Sequence, residues 1–227
     1  MEEKNLKELV GRKAASLVKS GMAIGLGTGS TVFYTIQELG RRIKEENLRF
    51  RAVPTSIDTE KKAKSLGITV VPFEQLEKTA IDLAIDGADE VDVELNLIKG
   101  GGGAHLREKR IAYKAKKFVV IVDGSKLSDI LGSFPVPVEA KREKWESVKS
   151  ELEKIGAKVS LRVKNGEIFL TDNGNYVLDA KFDFILKPAR VESMINEISG
   201  VLENGIFRKE KVSEVWVGTG EGVKVKK

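Results

Sequence analysis

The chain has 227 residues, of which 41% are apolar and 32% charged, enough for one large domain or a main domain with a smaller one. Its 39 basic and 34 acidic groups leave a net charge of +5, a mild help to an anionic ligand, and no long basic run is interleaved with aromatics as nucleic-acid binding would need. The absence of cysteine excludes disulfides and thiolate metal sites, and a single histidine, His105, argues against a multi-histidine metal centre. No apolar stretch is long enough to span a bilayer, and Met1-Glu2-Glu3-Lys4 does not resemble a signal peptide, so a cytoplasmic protein with no membrane association is expected.

Apolar positions Leu6, Leu9, Val10, Ala14, Leu17 and Val18 predict a helix over residues 3–19, with Gly21 as its C-terminal cap. Met22 to Leu26 reads as a short buried strand, Gly27-Thr28-Gly29-Ser30-Thr31 as a strand-to-helix turn, and Val32 to Lys44 as the helix that follows. Backbone amides at a helix start, with threonine and serine hydroxyls beside them, make an anion site. The dinucleotide fingerprint fails here, because Ser30 stands where its third glycine belongs and the acids Glu45 and Glu46 fall at a helix end. The lysine of a Walker loop is missing too. A small phosphorylated ligand is the reading, with a plain glycine-rich turn as the bland alternative.

Strands follow at Phe50 to Val53, Ile68 to Val71 and Ile81 to Ile85, with a helix over Asp58 to Leu66 capped by Ser56 or Asp58 and a helical turn over Glu74 to Lys78. Ala104 to Lys116 is predicted helical, and Phe118 to Val122 is another buried strand, ending in Asp123-Gly124-Ser125-Lys126. Near-continuous apolar strands alternating with helices imply a parallel sheet covered on both faces. Ligands bind such sheets beyond the carboxyl ends of the strands, where Gly27–Thr31, Thr55-Ser56 and Asp86–Asp89 all lie.

From about Leu131 the texture changes. Phe134 to Glu139 is a proline-punctuated extended crossing, Lys144 to Ile155 an amphipathic helix, and Ala157 to Val163 with Ile168 to Leu170 a hairpin around Lys164–Glu167. Tyr176 to Phe182 adds a strand and Pro188 to Ile198 a helix with proline in its first turn. Val201, Leu202, Ile206-Phe207 and Val215 to Gly218 read as strands returning to the main body, and Lys224-Val225-Lys226-Lys227 as a solvated end. The expected organisation is therefore an α/β domain over 1–130 and 203–227, a doubly wound, mainly parallel, Rossmann-like sheet, with a smaller α+β unit over 131–202.

The chemistry concentrates between residues 85 and 109. Asp86, Asp89 and Glu90 close an apolar run, Lys99 leads into four consecutive glycines, Gly100 to Gly103, and Arg107-Glu108-Lys109 opens a helix. Such a glycine run gives up packing and is of use where a ligand or another backbone must come close. Each residue also has a bland reading. Glu108 fits a solvated helix face beside Arg107 and Arg110, Asp86 a turn before glycine, Lys99 a surface lysine, and His105 a local hydrogen-bonding residue. Asp82 and Asp92 read as turn and surface residues, and Thr171 to Asn175 as a loop.

The ordered set Gly25–Thr31, Asp86–Glu90, Lys99–Gly102, Arg107–Lys109, Ser125-Lys126, Thr171–Asn175 and Gly205–Phe207 resembles the A-type ribose-5-phosphate isomerases over nearly the whole chain. The resemblance implies the Rossmann-like domain and a ferredoxin-like small domain. It implies interconversion of ribose 5-phosphate and ribulose 5-phosphate, in the non-oxidative pentose phosphate pathway, without metal or organic cofactor. By resemblance Glu108 is the proton-shuttling base, and Lys99 with the amides of Gly100, Gly101 and Gly102 meets the enediolate. Asp86 and Asp89 assist ring opening, with the duty undivided between them. Thr28, Gly29, Ser30, Thr31, Gly87, Ala88 and Lys126 hold substrate. The resemblance further implies a homodimer or homotetramer, and the apolar strand ends near Phe207 and Trp216 are expected to be exposed as contact surfaces. A sugar-phosphate sensor would keep the Thr28–Thr31 turn without needing Glu108, Asp86 and Lys99 together. A deaminase or lactonase on a similar sheet typically relies on histidine, of which this chain has one.

Overall fold

The computed structural model describes residues 3–78 and 80–227. The helices are α1 (Glu3–Ala15), α2 (Ser30–Glu46), α3 (Ile57–Ser65), α4 (His105–Lys114), α5 (Trp145–Lys154) and α6 (Pro188–Asn196). In chain order the first strands are β1 (Ala23–Leu26), β2 (Arg51–Pro54), β3 (Thr69–Val70), β4 (Leu83–Asp86), β5 (Glu90–Val91), β6 (Leu97–Ile98), β7 (Phe118–Asp123) and β8 (Val136–Ala140). Then come β9 (Lys158–Leu161), β10 (Val163–Lys164), β11 (Glu167–Ile168), β12 (Tyr176–Lys181), β13 (Val201–Asn204), β14 (Ile206–Phe207), β15 (Glu214–Thr219) and β16 (Gly222–Lys226). No described helix is long and apolar enough to cross a membrane. The chain divides into two compact units.

The first unit comprises the described residues up to Ala88, Arg107–Lys126 and Glu210–Lys227. Its sheet runs β16-β15-β7-β4-β1-β2-β3, parallel except for the antiparallel β15–β16 pair. The central strands β1, β4 and β7 are buried at every position, which their unbroken apolar runs anticipate. Ile24, Leu26, Ile85, Val119 and Ile121 pack with Val10, Ala14, Val32, Ile36 and Leu39 from α1 and α2. After β1 the chain winds outward through β2 and β3, then returns to place β4 on the other side of β1. Strand order reverses between β1 and β4, and the crevice beyond their carboxyl ends is where such sheets take ligands.

Two local expectations fail in this unit. α1 ends at Ala15, and Gly21, at φ 91°, donates its N–H to Arg49 O at 2.7 Å, so it ties the chain to the segment before β2 and caps no helix. The lysine-rich end forms edge strand β16, because Val223 and Val225 alternate with Lys224 and Lys226 and pair with β15. Lysines on that edge discourage a further strand from adding.

The second unit comprises Asp89–Leu106 and Leu127–Lys209. Its antiparallel sheet runs β13-β8-β12-β9, with α5 between β8 and β9 and α6 between β12 and β13 in the chain, the βαββαβ arrangement of ferredoxin-like folds. Val136, Val138, Leu178 and Ala180 pack against Val148, Leu152 and Ile195 of the helices. A three-stranded sheet, β14-β6-β5, and a hairpin, β10-β11, complete it. β13 and β14 do not rejoin the main sheet as expected: β13 pairs with β8, and β14 with β6. Asp89–Leu106 accordingly groups with this unit, although its sequence reads as continuous with β4. Phe207 and Trp216 are themselves buried, against the expected exposure, whereas Phe184 and Leu186 are 73% and 75% exposed.

Candidate active site

In the first unit the site begins where β1 and β4 end. Asp86, the last residue of β4, is only 3% exposed. Its Oδ1 accepts the Thr28 N–H at 3.1 Å and the Gly87 N–H at 2.7 Å. Gly27 N–H donates to Ile85 O at 2.9 Å, which presses the turn onto β4. A Cβ at Gly27 would lie 2.1 Å from Asp86 Oδ1 and 2.7 Å from its Cα, so no side chain fits there. Thr28 Oγ1 lies 2.7 Å from Thr55 Oγ1, 2.8 Å from Ser56 Oγ and 3.1 Å from Thr59 Oγ1. The turn, the end of β2 and the start of α3 therefore converge as the strand ends foretold. Thr59, which donates to Gly27 O at 2.9 Å, joins them unannounced by the sequence.

Gly29 precedes α2 at φ 117° and gives it no side-chain cap. The first amides of a helix lack intrahelical acceptors, and the helix dipole adds partial positive charge there. Ser30 and Thr31 stand at that end with their hydroxyls. Lys126 closes a short 3-10 turn, Gly124–Lys126, at the carboxyl end of β7, two strands from β1.

Glu108 overturns its bland reading. It is 4% exposed on α4 and, with Asp86, Gly27 and Thr55, lines a closed crevice, too tight for a water molecule, against Ile85, Ile111 and Phe118. Its neighbours Arg107 and Arg110 turn instead to the ring of Phe73, at 4.9 and 5.3 Å. Burying a carboxylate costs several kcal/mol unless hydrogen bonds or charges compensate it. Asp86 is compensated by the two amides it accepts, and Glu108 is buried beside it where the strand order reverses.

In the second unit β5, β6 and β14 support the lysine and the glycine run. Lys99, 3% exposed, directly follows β6. Its amide donates to Gly205 O at 2.9 Å, and its ammonium sits 5.5 Å from the centre of the Phe207 ring, a cation–π contact. Asp89 N–H donates to Ile98 O at 2.9 Å, and Asp89 Oδ2 accepts the Gly101 N–H at 2.7 Å. Gly100 takes φ 99°, and a Cβ on it would lie 2.6 Å from His105 Nδ1. His105 is thus buried against the loop, as a local residue. Lys99, Asp89 and Gly100–Gly101 form one cluster here, while Asp86, Glu108 and Thr28 form another within the first unit.

Other acids are structural. Glu90 is buried and accepts the N–H groups of Gly132, Ser133 and Phe134 at 3.1, 3.1 and 2.9 Å. Asp92 is buried in its turn, accepting from the Glu94 and Asn96 amides at 2.9 and 2.8 Å. Thr171, Asn173 and Asn175 donate to buried Glu139 at 2.9, 3.2 and 2.8 Å, which explains that loop without ligand. No group of three His, Cys, Asp or Glu able to hold a metal ion occurs among the described residues.

The family model for ribose 5-phosphate isomerase A (phosphoriboisomerase A) matches residues 51–222. Ribose-5-phosphate isomerase A of Methanothermobacter thermautotrophicus is 48% identical over 223 residues, covering 97% of each chain. The solved structure of ribose 5-phosphate isomerase A from Methanocaldococcus jannaschii superposes with a TM-score of 0.94 at 43% identity over the full length of both chains. A structure of D-ribose-5-phosphate isomerase in complex with phospho-erythronic acid superposes at 0.95 with 42% identity, again over both full chains.

Proposed function

The chain belongs to the ribose 5-phosphate isomerase A family of aldose–ketose isomerases, and on that premise we propose that it interconverts D-ribose 5-phosphate and D-ribulose 5-phosphate through an enediolate, with Glu108 as the base. The sugar arrives mostly as a ring, and Asp86 and Asp89 are the acids and bases for opening it. In the open aldose Glu108 removes the C2 proton. The C2–H electron pair becomes the C1–C2 double bond, and O1 carries the negative charge. Lys99 and the amides of Gly100 to Gly102 offset that charge, which is where preorganised donors accelerate most. Glu108 returns the proton to C1 while the O2 proton passes to O1, leaving the C2 ketone. Thr28 to Thr31 at the start of α2 take the phosphate, and Gly87, Ala88 and Lys126 hold sugar hydroxyls. The protein acts on a small sugar phosphate in the cytoplasm, as a homodimer or homotetramer, within the non-oxidative pentose phosphate pathway.

The observation that carries this reading is the burial of Glu108 with Asp86 in one crevice at the strand-order switch point. The test is ketose formation from ribose 5-phosphate in the presence of a chelator, with Glu108→Gln assayed alongside. The variant should keep its thermal midpoint and bind the sugar phosphate, while turnover falls by at least about 10²-fold, the scale of general acid–base catalysis. Turnover preserved in the variant would remove Glu108 from the role and pass it to Asp86 or Asp89. A wild type that binds the sugar phosphate without converting it would make the protein a sensor.

A further inference from the structure

Arg162 lies between β9 and β10, in a stretch whose alternation of Val159, Leu161 and Val163 marks it only as the outward residue of a strand. Its guanidinium makes four hydrogen bonds. Nε and Nη2 hold both oxygens of Asp179 on β12, the former at 2.9 Å. Nη1 donates to two backbone carbonyls of the glycine run, Gly100 O at 2.9 Å and Gly101 O at 3.1 Å. The Phe169 ring lies 5.8 Å from the guanidinium carbon.

The consequence follows from peptide planarity. In a trans peptide the N–H points opposite to the C=O of the same unit. Drawing the Gly100 carbonyl toward Arg162 turns the Gly101 N–H away, where Asp89 Oδ2 receives it at 2.7 Å. That peptide is pinned at both ends. Drawing in the Gly101 carbonyl turns the Gly102 N–H the same way, and Gly102 is exposed and donates to no acceptor among the described residues. The Gly100 carbonyl also accepts the Gly103 N–H at 2.8 Å, so Arg162 reinforces a turn already closed there. The Gly101–Gly102 peptide has no such turn bond among the described residues and, without side chains, would otherwise rotate readily. A cation on the carbonyl side also polarises both peptides and strengthens their N–H groups as donors.

We propose that Arg162 is a positioning residue: it holds the Gly100–Gly101 and Gly101–Gly102 peptides in the orientation that presents the Gly102 N–H to an oxyanion, with Asp179 holding Arg162 in turn. This rests on the proposed isomerase reading, in which the loop amides meet the enediolate. Lysine cannot replace the arginine, because a single ammonium does not span a carboxylate and two carbonyls in a fixed fork.

The experiment compares wild type, Arg162→Met and Arg162→Lys in ribose 5-phosphate turnover and in binding of phospho-erythronic acid, whose carboxylate mimics the enediolate oxygens. In Arg162→Met, kcat should fall about 10- to 100-fold, less than the roughly 10²–10³-fold loss of a direct oxyanion donor, with KM changed under about threefold. Affinity for phospho-erythronic acid should fall by a similar factor, while inorganic phosphate, the control probe, binds as in wild type. Arg162→Lys should restore the thermal midpoint but not kcat, and it carries the test alone if Arg162→Met does not fold. Wild-type turnover with kcat and analogue affinity in Arg162→Lys within about twofold of wild type overturns the positioning role. A variant with fewer active molecules but unchanged analogue affinity also overturns it, since that is what a purely structural arginine gives. Failure of the wild type to turn over ribose 5-phosphate would instead sink the isomerase reading.

Discussion

Gly27 shows the site's dependence on single atoms. Its position leaves 2.1 Å between a built Cβ and Asp86 Oδ1, and the Asp86 backbone is nearly as close. Gly27→Ala should cost about 1–3 kcal/mol through overpacking, read as a lower urea midpoint with an unchanged slope, and should weaken sugar-phosphate binding by displacing Asp86. Glu90 makes the opposite case, a buried acid spent on structure. Glu90→Gln puts an N–H donor against amides that already donate, so it should destabilise by about 1–3 kcal/mol and leave turnover per folded molecule near wild type. Substrate protection against urea would be unchanged. Asp86 and Glu90 lie four residues apart and look alike in sequence. What separates them is the company each keeps: Asp86 shares a crevice with Glu108, whereas Glu90 is enclosed by three backbone amides. The burial of Glu108 was not legible in the helical pattern, since its arginine neighbours suggest a solvated face.

Among elements, the start of α3 ties stability to the Gly27–Thr31 turn. Ser56 caps it, accepting the Thr59 N–H at 3.1 Å, and contacts Thr28 on the turn. Ser56→Ala should lose about 1 kcal/mol, a fall of roughly 2–4 °C in melting midpoint for a chain of this size, with a rise in KM that Ser56→Thr largely reverses. The choice between Ser56 and Asp58 as cap was open from sequence, and backbone geometry decides it: Ser56 is extended and its hydroxyl reaches back to Thr59. The short strands were harder to foresee. β5, β6 and β14 have two residues each, too few for periodicity to register, and the β14–β6 pairing joins residues more than a hundred positions apart. Yet that small sheet sets Lys99 over Phe207 and brings Asp89 to Gly101.

At the scale of the whole molecule, surface acids set the response to pH. The Glu38 carboxyl is held below the usual carboxylate range, first by a hydrogen bond from Arg41 and then by Arg12 of α1. Glu214 of β15 is lowered chiefly by Lys117, with the Trp216 indole adding to it. A carboxyl whose folded value lies below its unfolded one stabilises the fold above the unfolded value, about 4.3 for glutamate. That stabilisation is lost as pH falls through the folded value. The urea midpoint should therefore decline on acidification below about pH 5, and less steeply in Glu38→Gln/Glu214→Gln. Their partners Arg12, Arg41 and Lys117 are exposed to solvent, which keeps each contribution small. The sequence by itself determined the covered parallel sheet, through unbroken apolar runs alternating with helices, and the position of the loops at its carboxyl edge, because strand ends follow from strand limits. It also carried the family, through an ordered set of short motifs. Only the tertiary structure decided that β13 and β14 leave the main sheet, that the lysine-rich end becomes strand β16, that Glu108 is buried, and that Arg162 clamps the glycine run. Periodicity reports that a face is covered; which distant segment covers it depends on packing between residues far apart in the chain, and no local pattern encodes that.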